Sequence, residues 1–111
     1  MAISALVAAA LASLAPANAV PVGSAQEACT LVKARFTVRS NFPMSRIGSC
    51  DFIPTTDSPR GFYVLSLQST RQCEGICSTL LGWFAVELQS GRVFNWNVGQ
   101  WELGAELSPE R

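Results

Sequence analysis

No histidine occurs in the 111 residues of this chain. Histidine is the side chain that ordinarily titrates near neutrality. Its absence removes the usual general base, the Ser–His and Cys–His nucleophile pairs, and imidazole ligation of a metal. Lysine is almost missing too. Lys33 is the only one, and its place on the polar side of a predicted helix speaks against a Ser–Lys dyad. There is no Gly-x-Ser-x-Gly elbow and no glycine loop of the phosphate-cradling kind. Asp51, Asp57, Glu74, Glu87, Glu102 and Glu106 are scattered along the chain, whereas carboxylate catalysis needs two that meet across a substrate. Net charge is lacking as well, because eight basic and eight acidic side chains balance. That balance gives no footing for nucleic acid or an anionic membrane. No catalytic residue, cofactor or metal site is expected, and the chain reads as a non-enzyme.

What is present begins with an apolar run. The residues from Ile3 to Leu14 are uncharged and about as long as the h-region of a secretory signal. Pro16 breaks any helix there, and Ala17-Asn18-Ala19 supplies the small-x-small pattern that a signal peptidase accepts. Cleavage is expected after Ala19. A spanning helix needs roughly 20 apolar residues, and Pro16 and Asn18 interrupt this run too early, so no membrane anchor is expected after cleavage. No Lys or Arg precedes the run, which leaves the α-amino group as the positive charge of the leader. Cys29 follows Gln26-Glu27-Ala28 and suits no lipid attachment. The chain thus divides into a signal peptide over 1–19 and one small domain over 20–111, bacterial, and periplasmic or secreted.

Four cysteines follow the leader: Cys29, Cys50, Cys73 and Cys77. An even number in a short exported chain predicts two disulfides, since they persist outside the reducing cytosol. Three connectivities are open. The favoured one joins Cys29 to Cys50 and Cys73 to Cys77, because Gly75 gives the short ring Cys73-Glu74-Gly75-Ile76-Cys77 the turn freedom it needs. Loop-closure entropy assigns ~3.4 kcal/mol to the larger ring and ~2 kcal/mol to the smaller. Zinc is the first alternative, but ribbon sites use close pairs on both sides and Cys29 and Cys50 are far apart. A thiol–disulfide redox protein using Cys73 and Cys77 is the second, with a spacing one residue longer than C-x-x-C and no βαβ context.

Ser24-Ala25-Gln26-Glu27 matches a capping box. Behind it Ala25, Ala28, Cys29, Val32 and Phe36 recur at helical spacing. The helix is predicted from about Ala25 to Arg35, with room to reach Val38, and Asn41-Phe42-Pro43 stops it. The period then changes to alternation. Strands are predicted from Arg46 to Phe52, Phe62 to Gln68, Trp83 to Leu88 and Val93 to Val98, with a further edge strand around Trp101 to Leu107. Gln89-Ser90-Gly91-Arg92 joins the third and fourth as a hairpin. Phe84, Val86 and Leu88 are assigned one face, and Phe94, Trp96 and Val98 are assigned the same one. The resulting fold class is α+β: one N-terminal helix packed on a four- to five-stranded antiparallel meander sheet, stapled by disulfides.

The hairpin Gly82-Trp83-Phe84-Ala85-Val86 through Ser90-Gly91-Arg92-Val93-Phe94-Asn95-Trp96 resembles hairpins of small exported bacterial domains of the PepSY, cystatin-like and nuclear-transport-factor-like kinds. The resemblance covers about fifteen residues and the element order. It implies an α+β roll with a role in inhibition, immunity or peptide binding, and it transfers no catalytic residue.

Together these features predict an exported, non-enzymatic binding protein, inhibitor- or immunity-like, for a protein, peptide or sugar ligand. Two surfaces are candidates. One is the sheet face away from the helix, with Trp83, Asn95, Asn97 and Phe62, where an aromatic plane stands beside amides. The other is the cysteine loop, with Arg71, Glu74 and Ile76, whose closure would lower the entropy cost of binding. The competing reading is a structural or homo-oligomeric module that buries the same aromatics.

Overall fold

Ser24 starts the helix as its sequence predicts. Its Oγ accepts the Glu27 N–H at 3.2 Å. The Glu27 carboxylate in turn accepts the Gly23 N–H at 2.7 Å, one residue earlier than a strict capping box would place it. Helix α1 spans Ala25–Ser40, five residues beyond the minimum predicted. It continues until Asn41 enters the left-handed region (φ 60°) and donates its N–H to the Thr37 carbonyl, a conformation that asparagine tolerates better than most residues. Ala28, Cys29 and Val32 are the buried residues of α1. Phe36 packs edge-on against Phe42 and Phe84 at 5.7 and 6.0 Å between ring centroids.

The computed structural model of the chain describes residues 20–70 and 79–109. The segment 1–19, expected to be a leader, and the segment 71–78 with Arg71, Cys73, Glu74, Ile76 and Cys77, expected to form the second disulfide and a candidate binding surface, lie outside the described residues. After a single 3-10 turn at Met44–Arg46 come β1 (Ile47–Phe52), β2 (Phe62–Ser69), β3 (Leu80–Glu87), β4 (Val93–Asn97) and β5 (Glu102–Leu107). They form one antiparallel meander in the order β1-β2-β3-β4-β5, with α1 on one face. The α+β class holds, with five strands. β3 starts at Leu80 rather than Trp83, and β5 is a full edge strand.

The helix-side core is built from Val22, Ala28, Val32, Ile47, Leu65, Leu67, Phe84, Val86, Val93 and Leu107. The disulfide Cys29–Cys50 bridges α1 to β1 across 5.9 Å between Cα atoms, so one of the two expected staples ties the helix to the sheet edge. The lead-in is part of the fold as well. The Val22 N–H donates to the Leu88 carbonyl at 2.7 Å and the Val20 N–H to the Ser90 carbonyl at 3.3 Å. Gly91 makes this approach possible. It sits at φ 74°, and a Cβ there would stand 3.0 Å from the Val20 carbonyl oxygen.

One face assignment is corrected. β3 and β4 pair Phe84 with Asn95, Ala85 with Phe94 and Val86 with Val93. Phe94 and Trp96 do share a face, but it is the face of Ala85 and not that of Phe84 and Val86. Six residues lie between the paired Val86 and Val93, and an even number between partners sets odd positions of one strand opposite even positions of the other. Val93 therefore joins the helix-side core, and the two aromatics turn outward.

Candidate functional site

The outer face of the sheet is where the register concentrates the aromatic residues. Val64 lies opposite Ala85, Ser66 opposite Trp83, and Phe94 opposite Ala85. Val64, Ala85 and Trp96 form a second buried cluster, flanked by Ile53, Phe62 and Trp83. The Phe62 and Phe94 rings meet at 6.2 Å. Trp101 stands nearly perpendicular to Trp96, 5.3 Å away between centroids. All three tryptophans of the chain thus gather on the face opposite the helix.

β5 reaches this face through a bulge. Between the pairs Phe94↔Glu106 and Trp96↔Leu103, β4 advances by two residues and β5 by three. The extra residue flips the side-chain alternation. Leu107 is buried in the helix-side core, whereas Leu103 is 41% exposed on the outer side. Trp101, Leu103, Ala105 and Leu107 alternate along the sequence, yet the bulge keeps them from sharing one face. Gly104 sits at the bulge, where a Cβ would approach the Asn95 carbonyl oxygen to 3.3 Å.

Two features of the tryptophan pair are costly. Trp101 has φ 57°, a region that glycine or asparagine enters easily and a bulky side chain enters at a cost of order 1–3 kcal/mol. The turn before it is held by Asn97, whose Oδ1 accepts the Gln100 N–H at 3.0 Å and whose Nδ2 donates to Gln100 Oε1 at 3.2 Å. Trp96 is 5% exposed, and its indole Nε1 is buried with no hydrogen-bond partner. Such an orphaned donor costs about 1–3 kcal/mol.

The rest of the face is polar at its margins. Arg92 grips Glu106 with two hydrogen bonds, Nε to Oε2 at 3.1 Å and Nη2 to Oε1 at 2.8 Å, while its guanidinium lies 5.2 Å over the Phe94 ring. The hydrogen bond from Arg92 holds the Glu106 carboxyl below its ordinary pKa against a weaker opposing effect of burial, and Glu106 raises the Arg92 pKa in return. Beside Trp83, the buried Ser66 Oγ accepts from Gln68 Nε2 at 3.0 Å, and Thr79 Oγ1 donates to Gln68 Oε1 at 2.7 Å.

Of the residues proposed from sequence, Trp83 and Phe62 lie on this face. Asn95 does not. It stands opposite Phe84 on the helix side, where it lines a recess of about 300 Å³ with Phe36, Phe84 and Ala105. Asn97 does not either: it follows Val93 and Asn95 in the alternation of β4, opposite in sense to Trp96, and its amide is engaged in the β4–β5 turn. Phe94, Trp96 and Trp101 belong to the site and were not proposed for it; counting the even hairpin connection would have found the first two. A wider groove of about 390 Å³ runs between α1 and the lead-in, past Val22, Leu31, Arg35 and Gly91. Among the described residues no group of three or more His, Cys, Asp or Glu could hold a metal ion, and no helix is long and apolar enough to cross a membrane.

No protein-family model, curated protein or solved structure matches this chain. Its chemistry must be read from its own residues. Among the described residues, the outer face offers aromatic planes, one unpaired donor and a mutually satisfied ion pair.

Proposed function

We propose that the chain is an exported, non-enzymatic binding protein that holds its ligand on the outer face of the sheet. The gathering of Trp83, Trp96 and Trp101 with Phe62 and Phe94 on the face that α1 leaves uncovered carries this reading. Aromatic side chains supply large contact area at low conformational cost and are favoured where a surface must bind. Export rests on the leader over 1–19, and the Cys29–Cys50 disulfide is compatible with a compartment in which thiols oxidise.

The test uses the full chain expressed with its own leader, recovered oxidised and labelled with nitrogen-15. Its three indole N–H resonances report on the outer face. Periplasmic and culture extracts should shift or broaden at least one of them. Extracts that leave all three unmoved would contradict the reading.

A second reading has its own support. Val98, Trp101 and Leu103 are 40%, 45% and 41% exposed within six consecutive residues, which gives β5 an apolar margin suited to a second copy of the chain. Sedimentation separates the two. A stable dimer in which Trp101 is shielded favours the assembly module, and a monomer favours the binding protein.

A further inference from the structure

We infer that Trp96 and Trp101 form a carbohydrate site, in which a sugar ring stacks on Trp101 and a sugar hydroxyl oxygen accepts the Trp96 indole N–H. This inference rests on the outer-face reading and names the ligand class.

Three observations converge. The first is the orphaned donor: Trp96 is 5% exposed and its Nε1 has no partner, so an incoming acceptor would satisfy a group that the fold leaves unsatisfied. The second is the ring beside it. Trp101 is 45% exposed, lies 5.3 Å from Trp96 and occupies a left-handed position at the end of the β4–β5 turn. Trp101 packs edge to face against Trp96 on a short turn, so a ligand stacked on the half-exposed Trp101 ring stands next to the Trp96 indole. The third is the turn itself, where the Gln100 side chain, bonded through its Oε1 to the Asn97 amide, retains its own N–H donors for hydroxyl groups.

The alternatives fit less well. An extended peptide would add to the free edge of β5, but the bulge between Leu103 and Glu106 interrupts that hydrogen-bonding row and Glu102 and Glu106 charge it. An anionic ligand would need a free cation, and Arg92, which lies over Phe94 on the described part of this face, is already held by Glu106. A neutral ring with an apolar face and hydroxyl edges matches what remains.

The probes are cellohexaose, chitohexaose, maltohexaose and mannohexaose, each titrated into the oxidised full chain while the indole N–H resonances are followed. One of them should move the Trp96 and Trp101 signals together and saturate. Trp101→Gly, which relieves the left-handed position, should keep the helical circular dichroism and weaken binding by about tenfold. Trp96→Phe, which keeps one aromatic ring and removes the donor with the rest of the indole, should also weaken it while the far-ultraviolet circular dichroism is retained. If no hexasaccharide moves these signals while extracts still do, the carbohydrate assignment fails and the binding reading stands. If neither moves them, both fail. Saturable shifts confined to Trp83, or unchanged affinity in both variants, would overturn the site.

Discussion

Replacing Cys29 and Cys50 together by alanine should remove a large share of the stability of this domain. The bond closes a loop with a sequence separation of 21 between α1 and β1. Chain-entropy reasoning gives about 11 cal/mol/K for a loop of this length, or ~3.4 kcal/mol at about 25 °C. Cys29 is buried at 7% exposure, so deleting its sulfur adds a cavity cost of about 1 kcal/mol. The expected total is ~3–5 kcal/mol, against a stability of roughly 5–15 kcal/mol for a domain of this kind. The assay is urea unfolding of wild type and double variant under non-reducing conditions, followed by tryptophan fluorescence and far-ultraviolet circular dichroism. The alanine pair isolates this bond, whereas a chemical reductant would also act on the second disulfide expected between Cys73 and Cys77. A loss below about 1 kcal/mol would refute the claim that this link is the main staple between helix and sheet.

Three further perturbations test the packing. Phe84→Ala, on the helix side at 2% exposure, should cost about 3–5 kcal/mol, and Phe94→Ala, half-buried on the outer side, should cost clearly less; equal losses in thermal unfolding would contradict the face assignment. Gly91→Ala should destabilise by about 1–3 kcal/mol, because the φ of 74° is compounded by the Val20 carbonyl at 3.0 Å. Gly61→Ala should cost less, since at φ 84° a Cβ there meets nothing within 4 Å; the reverse order in chemical denaturation would count against the lead-in contact. Glu106→Gln tests the ion pair. Because the folded-state pKa of Glu106 is lowered, its contribution is present above the ordinary carboxylate pKa and is lost as pH falls through the lowered value. Wild type should therefore shed up to about 1 kcal/mol more than the variant on acidification, and less in high salt. Acid unfolding curves that superimpose would remove the pair from the account.

Much of the fold was legible because it is written in local chemistry. Ser24 and Glu27 marked the helix start, Gly91 marked the hairpin, and the change from helical to alternating period marked the meander. The Cys29–Cys50 pairing followed from proximity along the chain and the ease of the shorter ring. The helix end was less legible, because Asn41 can stop a helix in the left-handed conformation well after the apolar stripe has faded. What failed was parity. Alternation tells which residues of one strand share a face, but only the pairing register tells which face of the neighbour they join. Phe94 and Trp96 were placed inside on their hydrophobicity, although the even hairpin connection sets Val93 and Asn95 beside Phe84 and Val86. The bulge in β5 left only Gly104 as a signal, and Gly104 alone does not distinguish a bulge from a plain strand glycine. The orphaned Trp96 donor and the left-handed Trp101 are products of tertiary packing with no local sequence mark.

The face assignment of β4 underlies everything said of the site, and nuclear Overhauser contacts in solution test it most directly. Ring protons of Phe94 should show cross-peaks to Phe62, and the Trp96 indole to Trp101 and Ala85. Cross-peaks from Phe94 or Trp96 to Val32 or Phe36 of the helix would contradict it.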